Sequence, residues 1–362
     1  MKKIFTSLLC AMALLLNVMQ PVGAMSYEDS YKKVQGYFKT IQEFSYADEL
    51  IAYEALGLES DELKFNEEML LTEKASDVAK SIIVLALHGE DPSNYNGVNY
   101  VELLESGVHD DGSVYFENEV NSFGSNNQIY NVYALYIVNS SKLELAVDYL
   151  NGMICESGAF SYAGGYESSD VTGWAIEALS LVNKTKYQST IEKAIAYVTS
   201  KLDAEAAFND GWGGNASTQG CVLMGLLTYD SEAVKNGTYN VNDINPMTYL
   251  LKFLNEDGSL WSPYTGEGLY DLYSTNQGGQ AVGYYFNGSV YEDAKAEYAV
   301  TISSQKDNST NKPENNNQTN VKEEIKEQTK VVQTDDTNSI YGLSIMLLVS
   351  VVIYLKGRKV VE

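Results

Sequence analysis

The chain has 362 residues, 49 of them acidic and 24 basic, for a net charge of −25. So acidic a surface repels phosphate backbones and anionic headgroups, which excludes nucleic acid as a partner. Three cysteines are too few for a disulfide scaffold, and the length suffices for an ordinary buried core.

Residues 1–24 carry Lys2 and Lys3, an apolar run over 4–19 broken by Asn17, and then Pro21-Val22-Gly23-Ala24. This order predicts a secretion signal cleaved after Ala24. Leu9 ahead of Cys10 argues against a lipoprotein site.

Residues 25–305 read as one all-α domain with weak strand signals. Three- and four-residue periodicity predicts an apolar class of helices over 46–56, 75–88, 125–138, 168–182, 215–229 and 274–286. In the fourth of these, Val171, Trp174, Ala175, Ala178, Leu179 and Val182 form one stripe. A second class falls over 27–41, 63–71, 99–106, 141–153, 189–202 and 243–255, with one extra helix over 291–303. Between residues 25 and 338 only Cys155 and Cys221 occur, and either a bridge or two free thiols fits the pattern.

Four Gly-bearing turns lead through glycine- and aromatic-rich loops into the apolar helices. They are Asp111-Gly112-Ser113, Ser157-Gly158-Ala159, Asp210-Gly211-Trp212 and Asp257-Gly258-Ser259, spaced by 46, 53 and 47 residues. A period of that size marks one unit stacked several times. The apolar class is nearly free of charge, as helices covered on both faces must be. That favours closure into an (α/α)6 toroid of six inner and six outer helices over an open solenoid.

The turn, the Gly-rich loop and the S/T-x-x-A/G-x-x-A-L helix resemble the repeat of the prenyltransferase and squalene-cyclase family, a terpenoid cyclase-like fold. Asp111-Gly112-Ser113 and Asp257-Gly258-Ser259-Leu260-Trp261 come nearest to it, and the resemblance covers about 230 residues, 75–286. It implies the toroid and leaves the activity open.

Residues 306–338, rich in Asn, Gln, Lys, Glu and Thr, predict a disordered spacer. An apolar stretch, uncharged over 340–355, predicts a C-terminal transmembrane helix at 339–356, and the basic end at 357–362 a cytoplasmic tail. Spacer, span and tail resemble the wall-sorting signal of Gram-positive surface proteins. Val331-Val332-Gln333-Thr334-Asp335 stands where that family has Leu-Pro-x-Thr-Gly, and Thr334 alone of the fixed positions agrees. The resemblance makes the chain a candidate sortase substrate; Asp335 in the Gly place argues for retention by the membrane helix instead.

The chemistries that go with the resembled family find no matching residues. No Asp-x-Asp-Asp motif for a class II cyclase occurs. His88 and His109 both precede Cys155 and Cys221, the wrong order for the prenyltransferase zinc set. Cys221 is followed by Val222-Leu223-Met224, not by the Gly-Glu-Gln of a thioester. Neither a metal nor a cofactor is implied. Cobalamin carriers share the toroid and close it with a second domain; residues after 304 read as spacer, so the alternative on that side is a cobalamin-type small-molecule binder lacking its second domain. A glycan hydrolase or lyase would need paired acids, for which Glu167, Asp170, Asp210, Glu267 and Asp271 are the candidates. Against that, Asp170 suits a helix cap, and Asp210 and Asp257 suit turns.

Tyrosines number 28 against 10 phenylalanines. Tyr115, Tyr130, Tyr162, Tyr166, Trp212, Trp261, Tyr264, Tyr270 and Tyr273, with Trp174 on its helix, are candidates for a ligand-binding surface, each ring offering a flat face and a polar tip. Packing inside a wide ring is the alternative for each. The paired glycines 164–165, 213–214 and 278–279 lack the lysine and strand of a phosphate loop. The sequence thus reads as a cell-surface-anchored, non-catalytic ligand-binding or adhesion module for a glycan, a peptide or a small molecule.

Overall fold

The computed structural model describes residues 25–310, with side chains to residue 304. The predicted secretion signal, the spacer from residue 311, the membrane helix and the basic tail lie outside the described residues. Among the described residues no helix is long and apolar enough to cross a membrane.

The described chain is mostly helical. In order come α1 (Tyr27–Phe38), α2 (Ala47–Ala55), α3 (Ala75–Leu87), α4 (Tyr100–Ser106), α5 (Ser125–Ile137) and α6 (Leu143–Gly152). Then follow α7 (Ser169–Asn183), α8 (Gln188–Ser200), α9 (Ala216–Lys235), α10 (Pro246–Leu250), α11 (Leu272–Asn287) and α12 (Val290–Thr310). Side-chain caps start several of them: Ser26, Asn99, Ser168, Asn215 and Asp271 each accept a hydrogen bond from a backbone N–H of the first turn.

Six of these helices form a closed ring. Helix α2 packs on α3, α3 on α5, α5 on α7, α7 on α9, α9 on α11, and α11 returns to α2. The seam is also tied by hydrogen bonds: Asn287 Nδ2 donates to Ala55 O at 2.9 Å, and Tyr27 and Thr248 hydroxyls meet at 2.6 Å. Helices α1, α4, α6, α8 and α10 lie outside the ring. Because inner and outer helices alternate, the inner six run parallel, with all their N-termini at one end.

Three predicted elements differ. Residues 63–71 are not an outer helix: Lys64–Phe65 pairs in parallel with Glu43–Phe44, and Glu67–Met69 makes one 3-10 turn. Phe65 packs edge-on against the His88 ring at 4.8 Å, so a two-residue bridge already buries its apolar group. Over 243–255 the α-helix is confined to Pro246–Leu250, started by Pro at its first position, and a 3-10 turn over Leu251–Phe253 completes it. The extra helix predicted over 291–303 runs to Thr310, into the stretch read as spacer. It does not join the outer layer. It crosses α2, α3 and α5 at their C-terminal ends, and Tyr291 stacks on Tyr133 at 3.9 Å between ring centroids.

The repeat has a chemical signature that the glycine spacing only partly marks. After each of α4, α6, α8 and α10 the chain makes a tight backbone loop: Gly112 N donates to His109 O, Gly158 N to Cys155 O, Ala206 N to Asp203 O and Gly258 N to Asn255 O. The residue at the sharp point has positive φ in all four, +91°, +92°, +64° and +95°. The third turn is therefore Asp203–Ala206, not Asp210-Gly211-Trp212. An alanine holds the left-handed position there, which hides the repeat from a search for glycine. The fourth residue of the following inner helix then grips each turn. Gln128 Oε1 accepts from Val114 N, and its Nε2 donates to Gly112 O and Ala146 O. Gln219 repeats this with Phe208 N, Ala206 O and Pro246 O. Thr172 and Thr275 accept from Phe160 N and Leu260 N.

Glycines also set how closely the inner helices approach. A Cβ on Gly173 (α7) or Gly225 (α9) would come closer than 3 Å to the backbone of the other helix. The same holds for Gly220 against Gln277 and for Gly283 against Ala55. Gly225→Ala should therefore destabilise the fold by about 3 kcal/mol or more, at the upper end of overpacking costs, in chemical denaturation. Gly36→Ala, in α1 with nothing within 4 Å of the added carbon, should be stabilising by up to about 1 kcal/mol. Ala206→Gly should stabilise by about 1 kcal/mol by relieving its left-handed backbone.

Candidate functional site

The ring axis is open at the N-terminal end of the inner helices and shut farther in. Asp48, Asn126, Asp170, Ser217 and Tyr273 are second residues of inner helices, and all keep some exposure. Among sixth residues, Lys80, Tyr130, Trp174 and Gln277 remain half-buried, while Cys221 is buried. By the ninth residue every position is buried, Ile83 and Glu177 completely. At 1.5 Å of rise per residue, a recess extends roughly 6 Å from the second to the sixth.

Its lining residues touch one another across the helices. Lys80 Nζ lies 3.2 Å from Asp48 Oδ1 and 4.6 Å above the Tyr130 ring. Tyr130 and Trp174 are 5.8 Å apart between ring centroids. Ser217 Oγ donates to Gln277 Oε1. Two acceptors, Asn126 Oδ1 and Asp170 Oδ1, are shielded from solvent and have no hydrogen-bond partner in the protein. Burial raises Asp170 to about 6, against the Thr218 hydroxyl, which lowers it; the nearby Asp210 carboxylate adds to the rise.

Exposed rings collect around this opening. Tyr46, Tyr166, Trp212, Tyr264, Tyr270 and Tyr273 all lie in or beside the loops that enter inner helices, and Trp212 and Tyr264 are 68% and 73% exposed. Trp212 Nε1 donates to the Tyr166 hydroxyl at 2.7 Å, pairing rings from two repeats. Tyr270 stacks on Tyr37 at 6.1 Å. A collection of exposed apolar groups at one end of a monomer marks a contact surface.

The structure divides the sequence candidates. Tyr166, Trp212, Tyr264 and Tyr270 stand on the rim, with Tyr273; Tyr130 and Trp174 line the recess; Tyr162 is half-buried near Asp170. Trp261 packs against Phe253 at 4.9 Å, and Tyr115 lies between His109 and Phe123. Both fill joints between repeats. Of the acids, Asp210 accepts from Ser169 N at 2.8 Å and Ser169 Oγ at 2.7 Å, capping α7 from the next repeat. Asp271 caps α11 through Ser274 N. Glu167 and Glu267 are exposed on loops. Asp170 is the one of these five that faces the recess. Cys155 and Cys221 are both free thiols.

Two groups were missed. Lys80 and Glu177 stand, with Asp48, Glu54, Asp77 and Asp170, on helices read as nearly free of charge, and these two lie at axis-facing positions. Glu177 is fully buried on the recess floor. It accepts from the Tyr133 hydroxyl at 3.0 Å and from Ser289 Oγ at 2.7 Å, and Ser289 in turn meets the Tyr284 hydroxyl at 3.2 Å. Burial lifts the Glu177 carboxyl to about 7, partly opposed by these hydroxyls. Ser289 sits in the link between α11 and α12, so this carboxylate holds the crossing helix to the ring.

No family model matches the chain, and no curated protein matches it. Two solved structures share parts of its shape. One is a protein from Actinoplanes, 14% identical, with a TM-score of 0.43, covering 75% of this chain and 90% of that one. The other is a type II terpene cyclase from Scytonema in complex with its product merosterolic acid A, 15% identical, TM-score 0.44, covering 74% and 87%. At those values neither likeness bears on what the recess does, and the ring stands on its own contacts.

Three buried acids with raised values give stability an unusual pH dependence. Glu54, Asp170 and Glu177 hold protons up to about 7, 6 and 7 in the folded protein, whereas the unfolded chain releases them near ordinary carboxylate values. In that window the native state binds more protons, so stability falls as pH rises from about 4.5 to 7. Glu177→Gln should flatten this slope and raise stability at pH 8, on the order of 3 kcal/mol for a shift of that size. Urea denaturation at a series of pH values reads both effects.

Proposed function

We propose that the chain is a non-catalytic binding module that takes a glycan at the N-terminal mouth of its ring. The observation that carries this is the pairing of exposed rings with two buried acceptors that lack donors, Asn126 Oδ1 and Asp170 Oδ1. Sugars supply what both need: C–H faces for Tyr and Trp rings and hydroxyl donors for buried acceptors. The recess carries Asp48, Lys80 and Asp170, so its charge is net negative, and an anionic ligand fits it poorly.

In this reading the ring is a terpenoid cyclase-like toroid used for capture, and the chain is displayed on the outer face of the cell envelope. The secretion signal predicted at 1–24 and the span predicted at 339–356 support the display. A membrane helix or a sortase would retain it, and a peptide is the second ligand class the rim suits. A carbohydrate hydrolase remains the alternative enzyme reading, favoured by one feature, the raised Asp170. It needs a second acid facing Asp170, whereas Asp210 and Asp271 are held as caps, Asp48 is paired with Lys80, and Glu177 is buried on the floor among hydroxyls.

A glycan array probed with the protein, followed by calorimetry on any hit, tests the proposal. Trp212→Ala should weaken binding by about tenfold, as loss of an aromatic anchor does. Asp170→Leu should weaken it too, whereas Asp170→Asn, which keeps an acceptor, should retain most of it. Turnover of the bound glycan, abolished in Asp170→Asn, would decide for the hydrolase. Silence across the array would remove the glycan.

A further inference from the structure

At the opposite end of the ring lies a second cavity, of about 520 Å³, between the end of α2, the loop after it, the end of α3 and the face of α12. Its lining is acidic. Glu54, Glu59, Asp61 and Glu297 border it, no lysine or arginine does, and none of the four is in an ion pair among the described residues. Ser60, also in the lining, is 1% exposed, and its Oγ has no hydrogen-bond partner. The hydroxyl lies beside the Glu54 carboxylate but outside bonding geometry. Glu54 itself accepts from Ser60 N at 2.7 Å. Burial raises its carboxyl to about 7, against the Ser60 hydroxyl and amide, which lower it, and Asp61 and Glu297 add to the rise, as expected of an acid short of a counter-charge.

The shape selects the kind of cation. Among the described residues no three Asp, Glu, His or Cys side chains are grouped to hold a metal ion. The volume is that of a small organic ligand. Leu87 and Val300 add apolar wall against which an alkyl stem could lie. Helices α2 and α3 both end here, so their negative poles face the same space.

We propose that this cavity binds an alkylammonium or alkylguanidinium group, with Glu54 and Glu297 as its counter-charges and Ser60 Oγ as a further acceptor. The group can belong to a free polyamine or to a Lys or Arg side chain of another polypeptide.

Calorimetry of the full chain with spermidine, with a lysine-containing peptide blocked at both ends, and with Ca²⁺ alone tests this. Saturable one-to-one binding of spermidine or of the peptide is expected, and which of them binds separates the two sources. Glu54→Gln and Glu297→Gln should each weaken it about tenfold, the worth of one charged hydrogen bond. Glu156→Gln, on an exposed turn elsewhere, should leave it unchanged; circular dichroism melts confirm that each variant is folded. The proposal is overturned by non-saturable uptake, by equal weakening in Glu156→Gln, or by Ca²⁺ displacing spermidine at lower concentration than spermidine itself binds.

Discussion

Backbone contact at four glycines determines the shape of the ring. Gly173, Gly220, Gly225 and Gly283 let α7, α9, α11 and α2 approach until helix backbones touch, so this arc has no room for side chains between helices. The remaining arc, through α3 and α5, is spaced by larger groups. A ring tight on one side and wide on the other needs filler on the wide side, and Tyr130 and Tyr133 stand there on α5, with Trp174 reaching Tyr130 from the neighbouring α7. It is also the side that α12 crosses, bringing Tyr291 onto Tyr133. The packing of the tight arc thus decides where the open volume of the ring lies.

That volume is divided by how its polar groups are satisfied. Gln128 and Gln219 each make two hydrogen bonds to turn backbone and one to an outer helix, and Glu177 gathers hydroxyls from three elements. Removing such a partner leaves a buried group unpaired, so these bonds fix one register for each repeat. Asn126 Oδ1 and Asp170 Oδ1, each about two turns above the floor, have no partner in the protein, and neither does Asn131 Oδ1 lower on the same helix as Asn126.

Much of this was legible in the residues. The apolar stripes placed all six inner helices, and the clustering of tyrosine and tryptophan ahead of them located the rim. The outer layer was harder to read. Short segments such as 63–71 and 243–255 bury too little surface for periodicity to separate a helix from a turn. The third turn was misplaced because Ala206 holds a backbone conformation usually left to glycine, while Gly211 beside it marks a loop with open space around it. Glu177 was overlooked because its partners, Tyr133, Thr228 and Ser289, lie 44, 51 and 112 residues away, and nothing local announces them.

The two ends of the ring differ in a way that helix direction explains. Six inner N-termini point their positive poles at the aromatic mouth, and acids there are favoured by position alone: Asp48, Asp77 and Asp170 all lie in first turns. Their presence needs no ligand to account for it, which is why the unmatched oxygens, rather than the acids as such, support binding at that end. At the far end the poles are negative. Glu54 lies in the last turn of α2, where the dipole opposes its charge, and Glu297 and Asp61 crowd it further. Acids gathered against both a helix pole and one another are unfavourable in the empty cavity. A bound cation would reverse that sign, so the charge pattern of the C-terminal end is tuned to one class of ligand more narrowly than the ring-lined mouth.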